Sequence, residues 1–277
     1  MTVELSPDDA TDPGPSPLRN FGNEVMLERM RMNMSRVELG RAVACGESLV
    51  AKIERGDRVP QREFAEGCDQ VFPHGNGRFM RLWRIALRYA YPPWFWPYVE
   101  LEKKATVLRM FNPVVIPGIV QTREYATAIL REGRPKGLED IVTARLDRQQ
   151  ILQRENPPRL WFVLHERVLR NIVGSEQVMR QQLLRLLQIA ETLAHRVQII
   201  PDNGRHRGPA GASPFVLMSF DEGADVVHVD GFPRGYVLAE PEDVTDADDA
   251  YDLLRALAMP LDESTELINS ALKECYS

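Results

Sequence analysis

Glu47, Ser48, Ala51 and Lys52 recur at helical spacing, so a helix through them turns all four to one side, with Arg55 one turn further on. A carboxylate, a hydroxyl, a methyl and an ammonium on one short-chained, net basic face are groups with which a helix reads base edges in a major groove. Glu47 sets a condition, because an acid at the head of such a helix repels phosphate unless it accepts a hydrogen bond from a cytosine amine. The elements that must hold this face are legible around it. Leu49, Val50 and Ile53 form an apolar stripe opposite, Leu39 and Val43 stand four apart upstream, and Ala44-Cys45-Gly46 separates the two runs. The spacing predicts two short amphipathic helices meeting across a tight turn.

Other chemistry is thinner. The five histidines are His74, His165, His195, His206 and His228. Only His165-Glu166 and the loop Gly204-Arg205-His206-Arg207-Gly208 suggest a general base, and neither has metal spacing or a nucleophile elbow; the phosphate-binding glycine motifs are missing too. No enzyme, cofactor or metal site is expected. Arg205, His206 and Arg207, flanked by glycines, are read instead as a candidate loop for a ligand or protein partner. Cys45, Cys68 and Cys275 are far apart with no C-x-x-C pair, which predicts reduced thiols.

The stretch from Ser35 to Gly56 resembles the Cro/repressor-type (XRE) helix-turn-helix, whose pattern runs S/T-x-x-E-L-A through a turn to S-x-x-x-I-x-x-I-E-x-G. This chain supplies Ser35, Glu38 and Leu39, then Val50, Ile53, Glu54, Arg55 and Gly56, with Pro60 just beyond. Ala44 stands where the family has its turn glycine, and Gly46 where serine or threonine usually opens the recognition helix. A left-handed alanine costs about 1 kcal/mol, and glycine is a tolerable N-cap. The resemblance implies that Arg29 pairs with Glu54 to lock the first helix to the third, the alternative being a solvated surface pair of little worth. It also implies Arg36, Arg58 and Arg62 at the DNA backbone, joined by Arg55; on charge alone each would be an ordinary exposed side chain. Double-stranded DNA is then the expected partner. One such unit reads only a few base pairs, so a homodimer on two half-sites is the expected form.

Composition bounds the rest. The 277 residues, 44% hydrophobic and 27% charged, have room for two domains. The net charge of −6 is unevenly spread: residues 1–18 carry four acids and no base, residues 19–91 carry 13 Lys/Arg against 9 Asp/Glu, and the remainder 21 against 27. A phosphate partner is favoured at the N-terminal part alone. The start, MTVELSPDDATDPGPSPL, lacks the basic opening and apolar core of a signal peptide, and no apolar run approaches a membrane span. A cytoplasmic protein without a membrane partner is expected.

Along the chain, residues 1–17 read as a loose tail and residues 18–72 as an all-α helix-turn-helix domain, its first helix built on Phe21, Val25 and Met30 and its fourth running from Gln61 to Phe72. Residues 73–98 read as a linker helix followed by the aromatic run YAYPPWFWPY, a hinge that seats on the next domain or a second subunit; stacking on bases is the alternative. Residues 99–277 read as an α+β domain. Its expected helices cover 101–110, 121–131, 140–154, 175–194, 244–257 and 265–273, with a helical turn at 166–171 and a loop at 111–118. Strands are expected at 159–164, 197–200, 215–220 and 226–229, short and antiparallel.

The phrases LEKKAT, VVIPGIVQTREYATAIL, RLDRQQIL, LWFVLHERVLR, GSEQVMRQQLLRLL, VQIIPDNGRHRGPAG and DVVHVD resemble the C-terminal domain of WhiJ-like actinobacterial regulators, which follows an XRE domain. That resemblance implies a DNA-binding transcription regulator paired with a small partner protein encoded nearby, in an antitoxin-like arrangement. An antitoxin-like interaction adaptor with weak or no DNA binding is the alternative.

Overall fold

The computed structural model describes residues 17–87, 95–135, 137–202, 213–232 and 234–276. In chain order these form α1 (Pro17–Arg31), α2 (Arg36–Ala42), α3 (Glu47–Glu54), α4 (Arg62–Val71), α5 (Arg78–Leu87), α6 (Trp96–Glu102), β1 (Val107–Asn112), α7 (Arg123–Glu132), α8 (Leu138–Arg148), β2 (Arg159–His165), α9 (Arg167–Arg170), α10 (Glu176–Ala190), β3 (Arg196–Ile200), β4 (Phe215–Ser219), β5 (Val226–Val229), β6 (Tyr236–Leu238), α11 (Pro241–Leu257) and α12 (Leu261–Cys275). Short 3-10 turns cover Gly118–Val120 and Gln149–Gln153. Contacts divide the chain into two units, Met1–Pro93 with Lys136–Asp147, and Trp94–Pro135 with Arg148–Ser277. The first is helical and the second α+β. Among the described residues, no helix is long and apolar enough to cross a membrane.

In the first unit α1 packs on both α3 and α5, α2 packs on α3, and α4 packs on α5. Its core is aromatic: the Phe21 ring lies 6.4 Å from Phe64 and 6.0 Å from Phe79, and Phe79 lies 5.2 Å from Phe72. The buried side of α1 carries Phe21, Val25 and Met26, whereas Met30, expected inside, is exposed. Gly22 lets α1 and α3 touch backbone to backbone, since a Cβ there would stand 2.2 Å from the Ile53 carbonyl oxygen. The Asp69 carboxylate accepts from the Phe79 and Met80 N–H groups at the start of α5, and Trp83 Nε1 donates to the Pro60 carbonyl at 2.7 Å. Residues 78–87 are thus a core helix of this unit, and the span 73–98 read as one linker divides between the two units. Residues 88–94, most of the aromatic run, lie outside the described residues.

The second unit is built on one six-stranded sheet in the order β3-β2-β1-β4-β5-β6. β1, β2 and β3 are parallel, and β4, β5 and β6 continue from β1 antiparallel. Phe111, Val163, Ile200, Phe215, Leu217 and Val227 form one core face with Tyr251 and Leu254 of α11. The alternate residues Leu108, Met110, Phe162, Leu164, Val197 and Ile199 are buried on the opposite face. The outer edge of β3 is closed by its own chain, because Met259 N–H donates to the Ile199 carbonyl and Ile199 N–H donates to Ser264 Oγ.

Three expectations need correcting. Residues 107–112 form the central strand β1, where a helix ending at 110 and a loop from 111 were expected. Leu101, Ala105 and Leu108 fit a helical period, and only pairing with β2 and β4 decides for the strand. Arg109 sits mid-strand because its guanidinium bonds Asp248 of α11 and lies 5.8 Å from the Tyr251 ring centre. The sheet is mixed where antiparallel pairing was expected, since helical connections return β2 and β3 in the direction of β1. The edge strand β6 was not expected; three residues are too few for a periodic signal.

Candidate functional site

Ser35 opens α2 with a reciprocal capping box: its Oγ accepts from Glu38 N–H, and its own N–H donates to Glu38 Oε2 at 2.7 Å. The Ser35 N–H and, secondarily, the Ser35 hydroxyl donate to Glu38 Oε2 and lower the pKa of the Glu38 carboxyl from its ordinary value. The turn that follows is closed by Cys45 N–H on the Gly40 carbonyl at 2.7 Å, with Ala44 left-handed at φ 56°. Gly46 then caps α3 with extended backbone and no side-chain bond. At the far end Gly56, at φ 71°, lets its own N–H reach the Ile53 carbonyl and the Asp57 N–H reach that of Lys52. A Cβ on Gly56 would also lie 2.9 Å from Arg19 Cα, so conformation and space both select glycine.

Glu54 is the centre of this unit's electrostatics. Its side chain is 1% exposed, yet it holds two arginines: Arg29 Nε donates to Oε1 at 2.5 Å, and Arg36 Nε donates to Oε2 at 2.7 Å. Arg29 NH1 also donates to the Met34 carbonyl, tying the α1–α2 loop to the same carboxylate. A carboxylate at this depth is tolerable only because both oxygens are paired. Three helices are fixed relative to one another by one side chain.

That frame presents the expected reading face to solvent. Glu47, Ser48 and Lys52 are exposed and Ala51 half-buried, while Leu39, Val50 and Ile53 are buried beneath; Val43 and Leu49 are half-buried. The arginines expected at phosphate are each turned to a carboxylate. Arg36 is on Glu54, Arg55 Nε lies 2.7 Å from Asp57, and Arg62 Nε lies 2.7 Å from Glu66. Arg58 Nε lies 3.2 Å from Asp140 Oδ1, with its NH2 3.6 Å from Glu139.

Arg58 differs from its neighbours in what holds it. Asp57 and Glu66 are exposed carboxylates close in sequence, so their pairs exchange readily with solvent ions. Asp140 comes from the first turn of α8, and its side chain is only 17% exposed. The same Oδ1 also accepts from Val59 N–H at 3.2 Å, a bond between residues 81 apart. Burial raises the Asp140 carboxyl above its ordinary value, while Arg58 and the Val59 N–H act in the opposite direction. Nothing in the residues around 58 or 140 points to this pairing, and the sequence reading missed Glu139 and Asp140.

The second unit has a buried polar knot. Arg148 at the end of α8 donates through Nε and NH2 to both oxygens of Glu102, each at 2.7 Å, and Tyr98 OH donates to Glu102 Oε1 at 2.5 Å. The His228 ring lies 4.3 Å from the Tyr98 ring, and its pKa is below the ordinary histidine value: burial lowers it more than Asp230, 3.7 Å away, raises it. The Pro117-Gly118-x-x-Gln121-Thr122 phrase is structural here. Gln121 Nε2 donates to the Ile116 carbonyl, Gln149 to those of Gly118 and Gln121, and Gln182 links the Thr122 N–H with the Val120 carbonyl. His165 is half-buried and accepts from Arg167 N–H, and Glu166 accepts from Arg170 and from Asp202 N–H. Arg205, His206 and Arg207 lie outside the described residues. Among the described residues, no three His, Cys, Asp or Glu side chains are grouped to hold a metal.

Residues 95–270 match the family described as a domain of unknown function (DUF5753), and the chain belongs to that family. No curated protein and no solved structure matches it.

Proposed function

We propose that the chain is a sequence-specific, DNA-binding transcription regulator: it acts as a homodimer and contacts DNA through the helix-turn-helix formed by α2 and α3, and its second unit receives a ligand or a small partner protein. One observation carries the reading: a buried carboxylate, Glu54, is spent on orienting α3 so that Glu47, Ser48 and Lys52 face outward together. A recognition helix must be held in one orientation, and a doubly paired carboxylate holds it by directed bonds in addition to apolar packing. In this reading α3 enters the major groove, with Lys52 and Ser48 donating to acceptors on base edges, Glu47 accepting from a cytosine amine, and the Ala51 methyl in apolar contact. Arg55 and Arg62 take phosphate by releasing exposed carboxylates. Arg36 is a poorer phosphate ligand, since leaving Glu54 strands half of a buried charge.

The test is binding of the full chain to duplex DNA from its own upstream region. Lys52→Ala should weaken that complex by about 1–3 kcal/mol and relax one base position, whereas Arg55→Ala should weaken all sequences alike and flatten the salt slope by about one. Equal affinity of wild type and both variants defeats the reading. A second reading, an interaction adaptor with weak DNA contact, is favoured by the carboxylate partner on each of the four arginines. A folded full chain that binds no duplex at low salt would select it.

A further inference from the structure

We propose that the Asp140 carboxylate is an internal substitute for DNA phosphate, seated on Arg58 and the Val59 N–H and competing there with nucleic acid. The proposal rests on the DNA-binding reading above and adds a means of regulating it. The seat is a guanidinium and a backbone N–H converging on one oxygen, Asp140 Oδ1, at 3.2 Å from each. A guanidinium and a backbone N–H are both donors that phosphate oxygens accept from in protein–DNA contacts. Glu139, 3.6 Å from the same arginine, adds a second negative charge that repels a nearby phosphate backbone.

The occupant's origin gives the contact its regulatory meaning. Residues 136–147 group with the first unit, but the chain on both sides of them, 94–135 and 148–277, belongs to the second. They also fall within the stretch 95–270 that matches the family. Any event in the second unit that withdraws α8 therefore frees Arg58 and removes two acids from the loop. DNA, by binding the freed seat, in turn favours withdrawal.

The experiment uses the full chain and a short labelled duplex of mixed sequence, with wild type, the double variant Glu139→Gln/Asp140→Asn, Arg58→Ala, and the triple combination. Asparagine retains an oxygen for the Val59 N–H, and thermal melts establish that each variant is folded. The double variant should bind about three- to tenfold more tightly at low salt, with a salt slope steeper by about one phosphate contact. That gain should vanish in the Arg58→Ala background, which separates release of the seat from a general loss of negative charge. Equal binding by wild type and the double variant, or a gain that survives Arg58→Ala, overturns the proposal and leaves DNA binding standing. If no folded variant binds duplex, both fall.

Discussion

Arg29 Nε and Glu54 Oε1 meet at 2.5 Å across 25 residues of sequence, and Arg36 occupies the other oxygen of the same buried carboxylate. The pair joins α1 to α3, and the Met34 carbonyl on Arg29 NH1 brings in the loop before α2. Removing one member leaves a buried charge half-satisfied, so Arg29→Ala should lower the stability of the first unit by about 2–4 kcal/mol. Arg36→Ala, at a more exposed site, should lose less. Denaturant unfolding of the full chain measures both, and equal small losses would reduce Glu54 to an ordinary ion pair.

Gly22→Ala tests the close approach of α1 and α3. Helix propensity alone says alanine stabilises, by up to about 1 kcal/mol. The added Cβ meets backbone, with the Ile53 and Glu54 carbonyl oxygens at 2.2 and 2.7 Å, so the helices must separate. Overpacking should win and cost more than about 2 kcal/mol. A stabilised variant would show that α1 and α3 are further apart than described.

The turn should be improvable. Ala44 is held at φ 56°, and Ala44→Gly should gain about 0.5–1 kcal/mol by relieving the left-handed strain, less the entropy glycine loses on folding. Gly46, with nothing within 4 Å of a Cβ and no capping bond, should accept Gly46→Ser with a gain of a few tenths to about 1 kcal/mol. Thermal melting checks both, and a loss at either position would contradict the turn geometry.

Acid should loosen the second unit. Burial lowers the pKa values of His165, His195 and His228 from their ordinary 6.5. Below that value the unfolded chain binds protons that the folded histidines refuse. Their contribution is full above about pH 6.5 and is lost as pH falls below it. At His228, Asp230 and Glu102 favour protonation, while burial and Arg148 oppose it. The melting temperature should therefore fall between about pH 7.5 and 5.5, and His228→Gln should flatten that slope. An unchanged slope in the variant would remove His228 from the account.

The α2-turn-α3 unit was legible because its signals are local. Capping residues, a four-residue apolar spacing and a terminating glycine act within one or two turns of helix, and their reach matches that of a sequence pattern. Ser35, Glu38, Gly56 and the outward face of α3 belong to that class, as do the strand at 159–165 and the helix at 176–190. Tertiary structure decided the rest. β1 is a strand because β2 and β4 pair with it, although the spacing Leu101, Ala105, Leu108 that leads into it has a helical period. Residues 78–87 are core because Asp69 caps them and Trp83 reaches Pro60. The partners of Arg58 and Arg148 come from 82 and 46 residues away. Charge pairing at such separations depends on where the whole fold delivers two side chains, and no property of either neighbourhood encodes it.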